Sequence, residues 1–323
     1  MTVAEAPALN EVVSERDIRR VKGLACPRCR AALSNPTHCK ACDTWYQSED
    51  GVLDLKAPGA SAEVRLLYEA DDGSTNRILE AALMDPPLYD GHETLPYHLD
   101  PAHARVLAEL PPGSRVLEIG CGGGQNRGWM TRHDLSYIGT DLSRTRVFDW
   151  LQKYGGPDLL CDAHFLPFQD GQFDAVYSAA TTEHLACPQR VVREVFRVLK
   201  PGGLFLGNVS FLEAWHDDSY FHMTPLGVVE LLRRAGYEIP HVWPGRNYSG
   251  FRALPAMAFR HPFKAMRHMG RVVHAAYRVQ ESLRALARRF RGRPAESQVR
   301  RRAIVAGAID WIARRPKLEG GAR

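Results

Sequence analysis

The stretch Arg115-Val-Leu-Glu-Ile-Gly-Cys-Gly-Gly-Gly-Gln-Asn126 decides how the rest of the chain is read. Residues 116–119 form a short apolar strand that carries Glu118, and the chain then enters a turn almost without side chains. Gly120, Gly122 and Gly124 alternate there, so the main chain, including positions of positive φ, can pass close to a ligand. In an open α/β sheet, the crevice outside the carboxyl end of such a strand is the expected binding place. A dinucleotide fingerprint needs glycines at its first, third and sixth positions. Counting from Gly120 the sixth is Gln125, and counting from Gly122 it is Arg127, which weakens that reading.

Strands and helices then alternate on both sides of the turn. A helix over 102–110 precedes it, and a strand over 137–140 follows, ending in Asp141 with Leu142 beside it. Asp141 lies 17 residues after Gly124, near the spacing of about 20 at which a carboxylate meets two ribose hydroxyls. Capping the following helix, 144–154, is its competing role. The runs Asp158-Leu-Leu-Cys-Asp162-Ala163-His-Phe-Leu-Pro167-Phe168 and Asp170-Gly-Gln-Phe173-Asp174-Ala-Val-Tyr177 lead into a fourth strand, 175–178, closed by Thr181-Thr-Glu-His-Leu185. A helix over 188–199 places Val191, Val192, Val195, Phe196 and Leu199 on one face, and Lys200-Pro-Gly-Gly203 stops it before a fifth strand, 204–208. A helix from Pro225 and the segment Gly236-Tyr-Glu-Ile239 supply a sixth strand. The seventh is not clear, since 251–259 contains Pro255.

Glu118-x-Gly-x-Gly-x-Gly, the Asp162 to Val176 string and the Arg197-Val-Leu-Lys-Pro-Gly-Gly-Leu-Phe205 run together resemble the class I S-adenosylmethionine (SAM) methyltransferases, of the type 11 kind, over about 100–240. The resemblance implies a Rossmann-like α/β sheet with helices on both faces. It also implies that the glycine turn passes under the methionine and ribose parts of SAM, and that Asp162 accepts from the adenine amine with Ala163 bracketing the ring. The expected cofactor contacts are therefore Glu118, Gly120, Gly122, Gly124, Asp141, Leu142, Asp162 and Ala163.

Before this domain, Cys26-Pro-Arg-Cys29 and Cys39-Lys-Ala-Cys42 are two knuckles separated by nine residues, the spacing of a tetrahedral structural Zn²⁺ site. Four thiolates leave no open position for water, so such an ion holds structure and performs no hydrolysis. A segment of this size cannot bury enough apolar surface to fold alone, and metal binding supplies the missing free energy. A redox pair, or four unrelated cysteines, are the alternatives, and His38 could replace Cys39 as a ligand. The segment resembles the zinc ribbons carried by some methyltransferases, including rRNA guanine methyltransferases, and by small methyltransferase-partner proteins.

The expected organisation is a leader over 1–22, a ribbon over 23–56, a linker or lid over 57–100, the SAM-binding domain over 101–259 and a basic helical extension over 260–323. The lid carries Tyr68, Tyr89, His92, Tyr97 and His98, more suited to packing than to substrate contact. The extension holds 17 Lys or Arg against 4 Asp or Glu, a net +13 against −8 for the preceding residues. One helix is expected from residue 272 to 290 and a second over 303–314. Docking on the catalytic domain or a second subunit is the expected use of this surface. RNA or peripheral contact with an anionic membrane are the competing ones. No window has the run of about 18 apolar residues that a membrane span needs, and the start lacks a secretory pattern, so a cytoplasmic protein is expected.

Methyl transfer from a sulfonium is an in-line displacement, so positioning is the main task, and a base is needed only for a protonated acceptor. His216 is the first candidate base, with His184 and His222 behind it, because an imidazole titrates near neutral pH and these lie at strand ends facing the crevice. Asp217 and Glu183 are candidates for orienting the imidazole. The segment Ser210 to Pro225 is similar to one in a subset of the family associated with glycan or natural-product pathways. The expected activity is therefore SAM-dependent methylation of a small-molecule or sugar-containing metabolite. Alternatives are RNA methylation using the ribbon and basic tail, and a non-catalytic SAM-fold or zinc-ribbon adaptor.

Overall fold

The structure is a computed structural model that describes residues 21–64, 72–144, 149–246, 248–259, 262–292 and 297–317. The expected leader and Tyr68 fall almost wholly or wholly outside these residues.

Two short strands, β1 (His38–Cys39) and β2 (Thr44–Trp45), form a small antiparallel sheet. After them come β3 (Ser48–Glu49), β4 (Val52–Asp54), α1 (Ser74–Ala82), α2 (Pro101–Ala108) and β5 (Arg115–Ile119). The central units are α3 (Arg127–Arg132), β6 (Ser136–Asp141), β7 (Leu159–Leu160), β8 (Phe173–Ser178), α4 (Pro188–Val198) and β9 (Leu199–Ser210). The chain continues with α5 (Pro225–Arg234), β10 (Glu238–Pro244), α6 (Gly250–Ala258), α7 (Met269–Phe290), α8 (Gln298–Ala303) and β11 (Ala308–Arg314).

Among the described residues nine strands form one sheet in the order β10-β11-β9-β8-β5-β6-β7-β4-β3. From β9 to β7 every neighbouring pair is parallel. Parallel strands need crossovers that cover both faces, so both faces are apolar. Leu117, Ile119 and Val176 pack into one core and Val116, Ala175 and Tyr177 into the other, as the period of two requires. Asp100 caps α2 through the Ala102 amide, and Thr224 caps α5 through the Gly227 amide.

The ribbon is joined to this sheet. β4 pairs in parallel with β7, Leu53 facing Leu159, and Ala25 N donates to Pro167 O at 3.0 Å. Arg30 meets Glu194 of α4 at 2.7 Å.

Three expectations are corrected. The expected second tail helix, 303–314, ends at Ala303, and 308–314 is a strand. That strand is the missing seventh one, inserted antiparallel between β9 and β10, with Trp311 opposite Gly207 and Val242. Ile309, Trp311 and Ala313 enter one core and Ile312 the other, so the segment is apolar on both faces, which helical and strand periods fit equally well. The open backbone edges of β9 and β10 decide the matter. Gly207 makes room for the indole, since a Cβ there would fall 2.6 Å from Trp311 Cζ2. The other candidate for that strand, 251–259, is mostly α6, with Pro255 inside it. The Phe251 carbonyl, which loses its donor at Pro255, lies against Gly270 of α7, where a Cβ would come within 2.1 Å. The expected helix over 144–154 is described only over 149–154, as a 3-10 turn.

Candidate functional site: a cofactor crevice beside a carboxylate-imidazole cluster

The glycine turn lies at the carboxyl end of β5. Gly120, Gly122 and Gly124 have φ of 67°, 53° and 77°, the left-handed region where a side chain is strained. Space excludes side chains as well. A Cβ on Gly120 would lie 2.2 Å from Thr181 Oγ1, and one on Gly124 would lie 2.8 Å from Gly156 O.

Glu118 is placed beneath the turn, 2% exposed. Its carboxylate accepts from Asn126 Nδ2 at 2.7 Å and Tyr137 OH at 2.5 Å, so it ties β5 to the start of α3 and to β6. Burial pushes its pKa up to about 7, against the opposing effect of these two donors. Neither Asn126 nor Tyr137 was singled out in the sequence, because nothing local marks them as partners of Glu118.

Asp141 ends β6 and reaches back to the turn, where Oδ2 accepts from Gly122 N at 2.9 Å and Oδ1 from Ser143 N at 3.2 Å. Burial raises its pKa. Leu142, next to it, is 48% exposed, an apolar side chain standing free at the crevice. Asp162 follows β7 and caps the short turn Ala163–Phe165. Its Oδ1 accepts from His164 N at 2.9 Å and from His164 Nδ1 at 2.6 Å, while His164 Nε2 accepts from Cys187 N at 3.1 Å. The ring therefore carries its proton on Nδ1 and links Asp162 to the start of α4. Burial opposes ionisation of Asp162, yet the His164 ring and amide more than offset it and hold the carboxyl below its ordinary value. His164 was seen in the sequence only as a neighbour; its linking role needs the fold.

The three candidate bases converge. His184 closes the 3-10 turn Thr182–His184 after β8, and His216 and His222 lie in the segment after β9. The rings of His184 and His216 are 5.4 Å apart and those of His216 and His222 5.9 Å. Glu183 O accepts from Tyr220 N at 2.6 Å and Phe221 N at 3.1 Å, which pins the two segments together. His216 Nδ1 donates to Ala214 O at 2.9 Å, leaving Nε2 as the bare nitrogen. Burial lowers the pKa of His184, favouring the neutral ring. Ala180, Asp217 and Asp218 take positive φ, so strained backbone flanks the cluster. Trp215 and Tyr220, 73% and 63% exposed, form a rim beside it. Of the lid side chains, Tyr89 packs on Trp129 and Tyr97 is exposed, while the main-chain carbonyl of His98 accepts from Tyr177 OH.

The four knuckle cysteines also meet. Their sulfurs lie within 4.8 Å of one another, with Cys26 to Cys42 at 3.6 Å and Cys29 to Cys39 at 3.5 Å. Bonds of about 2.3 Å to a tetrahedral ion place sulfurs about 3.8 Å apart, so the residues fit Zn²⁺. Arg30 and Asp43, each following the second cysteine of its knuckle, both take positive φ, so the knuckles turn alike. His38 is turned away onto Asp43 and Trp45. A separate hollow of about 500 Å³, lined by Tyr248, His274, Tyr277 and Glu281 among others, belongs to the α7–α8 region and not to the crevice.

A family profile described as "Methyltransferase domain" matches residues 117–207. Over 110 residues the chain is 39% identical to a tRNA (carboxymethyluridine(34)-5-O)-methyltransferase of Xenopus tropicalis, which covers 33% of this chain and 17% of that protein. Over 144 residues it is 34% identical to a phthiotriol/phenolphthiotriol dimycocerosates methyltransferase of Mycobacterium tuberculosis, which covers 42% of this chain and 53% of that protein. The solved structure of phosphoethanolamine N-methyltransferase 2 of Haemonchus contortus with SAM aligns at a TM-score of 0.42 and 18% identity, over 66% of this chain and 51% of that one. The chain thus spans about half or less of the length of these curated relatives. Over residues 117–207, with the sheet and glycine turn described above, the chain carries a methyltransferase domain of the class I, SAM-dependent kind.

Proposed function

We propose that this chain is a SAM-dependent methyltransferase whose acceptor is a hydroxyl-bearing small molecule or sugar-containing metabolite. One observation carries the reading: Thr181, packed on Gly120, opens the same turn that carries Glu183 and His184, so the cofactor crevice and the imidazoles share one loop. When bound, SAM supplies an electrophilic methyl group. The glycine turn and Asp141 suit its methionine and ribose parts, and Leu142, Asp162 and Ala163 suit adenine. His216 Nε2 is the base we assign to the acceptor proton, with His222 behind it and the Trp215 and Tyr220 rings excluding water. In the ribbon, Zn²⁺ held by Cys26, Cys29, Cys39 and Cys42 supports structure.

Calorimetric titration of the zinc-loaded protein with SAM tests this, with one site per chain expected. No binding would sink the enzyme reading and leave the adaptor alternative. RNA is the second reading, favoured by the arginines of α7 and by the name of the Xenopus relative. RNA association that weakens steeply with salt supports it, and salt-insensitive or absent association removes it. Among the described residues, no helix is long and apolar enough to cross a membrane.

A further inference from the structure

The carboxylate-imidazole cluster contains more than a base requires. Glu183 is 1% exposed. Its Oε1 accepts from Ser210 Oγ at 2.8 Å, but Oε2 is buried without a hydrogen-bond partner. An ionised carboxylate in such a place is costly unless a proton or cation meets it. No Lys or Arg is paired with it among the described residues. Two imidazoles face it, with the Glu213 carboxylate near enough to act on its charge, and one ligand atom from each of Glu183, His184 and His216 lies within 4.8 Å of the others.

One ring is held as metal ligands are held, and the other offers a bare nitrogen. A ligating histidine characteristically donates its other N–H to a carbonyl or carboxylate, which fixes the tautomer and aims the bare nitrogen. His216 Nδ1 donates to Ala214 O, leaving Nε2. His184 Nδ1 is buried without a hydrogen-bond partner. Two buried polar atoms without partners, Glu183 Oε2 and His184 Nδ1, therefore lie beside His216, in two segments that the Glu183 carbonyl pins together.

We propose that Glu183, His184 and His216 form a divalent transition-metal site, filled by Zn²⁺ or an ion of similar preference, which receives an oxygen of the methyl acceptor at its open position. Two imidazoles and one carboxylate are a donor set of catalytic zinc, in which a fourth position stays open. Donors at the corners of a 4.8 Å triangle lie about 2.8 Å from its centre, so bonds of about 2.0–2.2 Å need each to move in by only about 0.7 Å. The ion lowers the pKa of a bound hydroxyl, and His222, beside Ser219 Oγ at 3.2 Å, is then the nearby group left to take the proton. With the site filled, His216 is a ligand and not the base. The site rests on the methyltransferase reading for its role, though not for its existence.

The test is metal content. Full-length protein stripped with a chelator, saturated with Zn²⁺ and desalted should hold two zinc ions per chain by mass spectrometry of the metal. The His216→Ala and Glu183→Gln variants should hold one, with at least tenfold weaker uptake of the second, and keep the cysteine-bound ion and SAM binding as controls for folding. His216→Asn, on the loop, serves if a buried substitution unfolds the chain. One zinc in the wild type, or two in the variants, overturns the site. SAM binding without a second zinc ends the metal proposal alone, whereas a second zinc without SAM binding ends the methyltransferase reading and leaves the metal site standing.

Discussion

The cysteine cluster of the ribbon and the carboxylate-imidazole cluster of the crevice are built on opposite plans. The first takes four identical donors from two similar turns within 17 residues, and its geometry closes around an ion. The second takes unlike donors from segments some 30 residues apart and has three of them, so a position stays open. The ribbon hangs on the sheet through β4 and Arg30, whereas the second cluster sits where β8 and β9 end. A closed, local site serves to hold a fold, and an open site assembled by the fold serves to present a group to substrate.

The comparison can be broken in both directions. The largest effect is expected from Cys39→Ser in the ribbon: loss of its zinc and a fall in Tm on the order of 10 °C in thermal unfolding, because structural zinc contributes folding free energy directly. At the crevice, His216→Ala should reduce kcat/KM by about 10²- to 10⁴-fold with Tm and SAM affinity nearly unchanged, once a turnover assay exists. A ribbon variant with normal stability, or a His216 variant that unfolds, would erase the contrast. Asp162→Ala should weaken SAM about tenfold by calorimetry, the scale of one hydrogen bond to a charged acceptor, without altering zinc content.

The smallest effect concerns pH and metal-free protein. Burial raises the Glu183 pKa from 4.5 to about 7, so the folded state holds this proton more tightly than the unfolded state. Its contribution to stability is therefore lost as pH rises between 4.5 and about 7, and Glu118, raised for the same reason, acts in the same window. Glu183→Gln should stabilise the metal-free protein by about 1–3 kcal/mol at pH 8 and by nearly nothing at pH 4, measured by denaturant unfolding. If wild type and variant track each other across that range, Glu183 is not a buried charge awaiting a cation.

What could be read in advance followed the same division. The knuckles and the glycine turn are local patterns in which spacing carries the chemistry, and the structure places both as spacing suggested. The three histidines were singled out one by one for their residue type and strand-end position, but the meeting of His184 and His216 with Glu183 depends on two loops brought together by backbone bonds. The Asp162–His164–Cys187 link and the seating of Glu118 on Asn126 and Tyr137 are likewise long-range. β11 was misread as helix because a short run that is apolar on both faces has no period of its own. Only the gap between β9 and β10, 64 residues earlier at its nearer edge, makes it a strand.

That strand has a consequence for the order of events during synthesis. Among the described residues β10 joins the other strands of the sheet through β11 alone, so the sheet cannot be completed until residues 308–314 have left the ribosome. Up to that moment β9 presents a bare edge and β10, though bridged by Leu83 at Val242, has no sheet strand beside it, so Trp243 and Val242 lack the cover that β11 gives them in the finished fold. The helices from Gly250 to Ala303 are thus made while the sheet is still open, and seating Trp311 over Gly207 is what closes it.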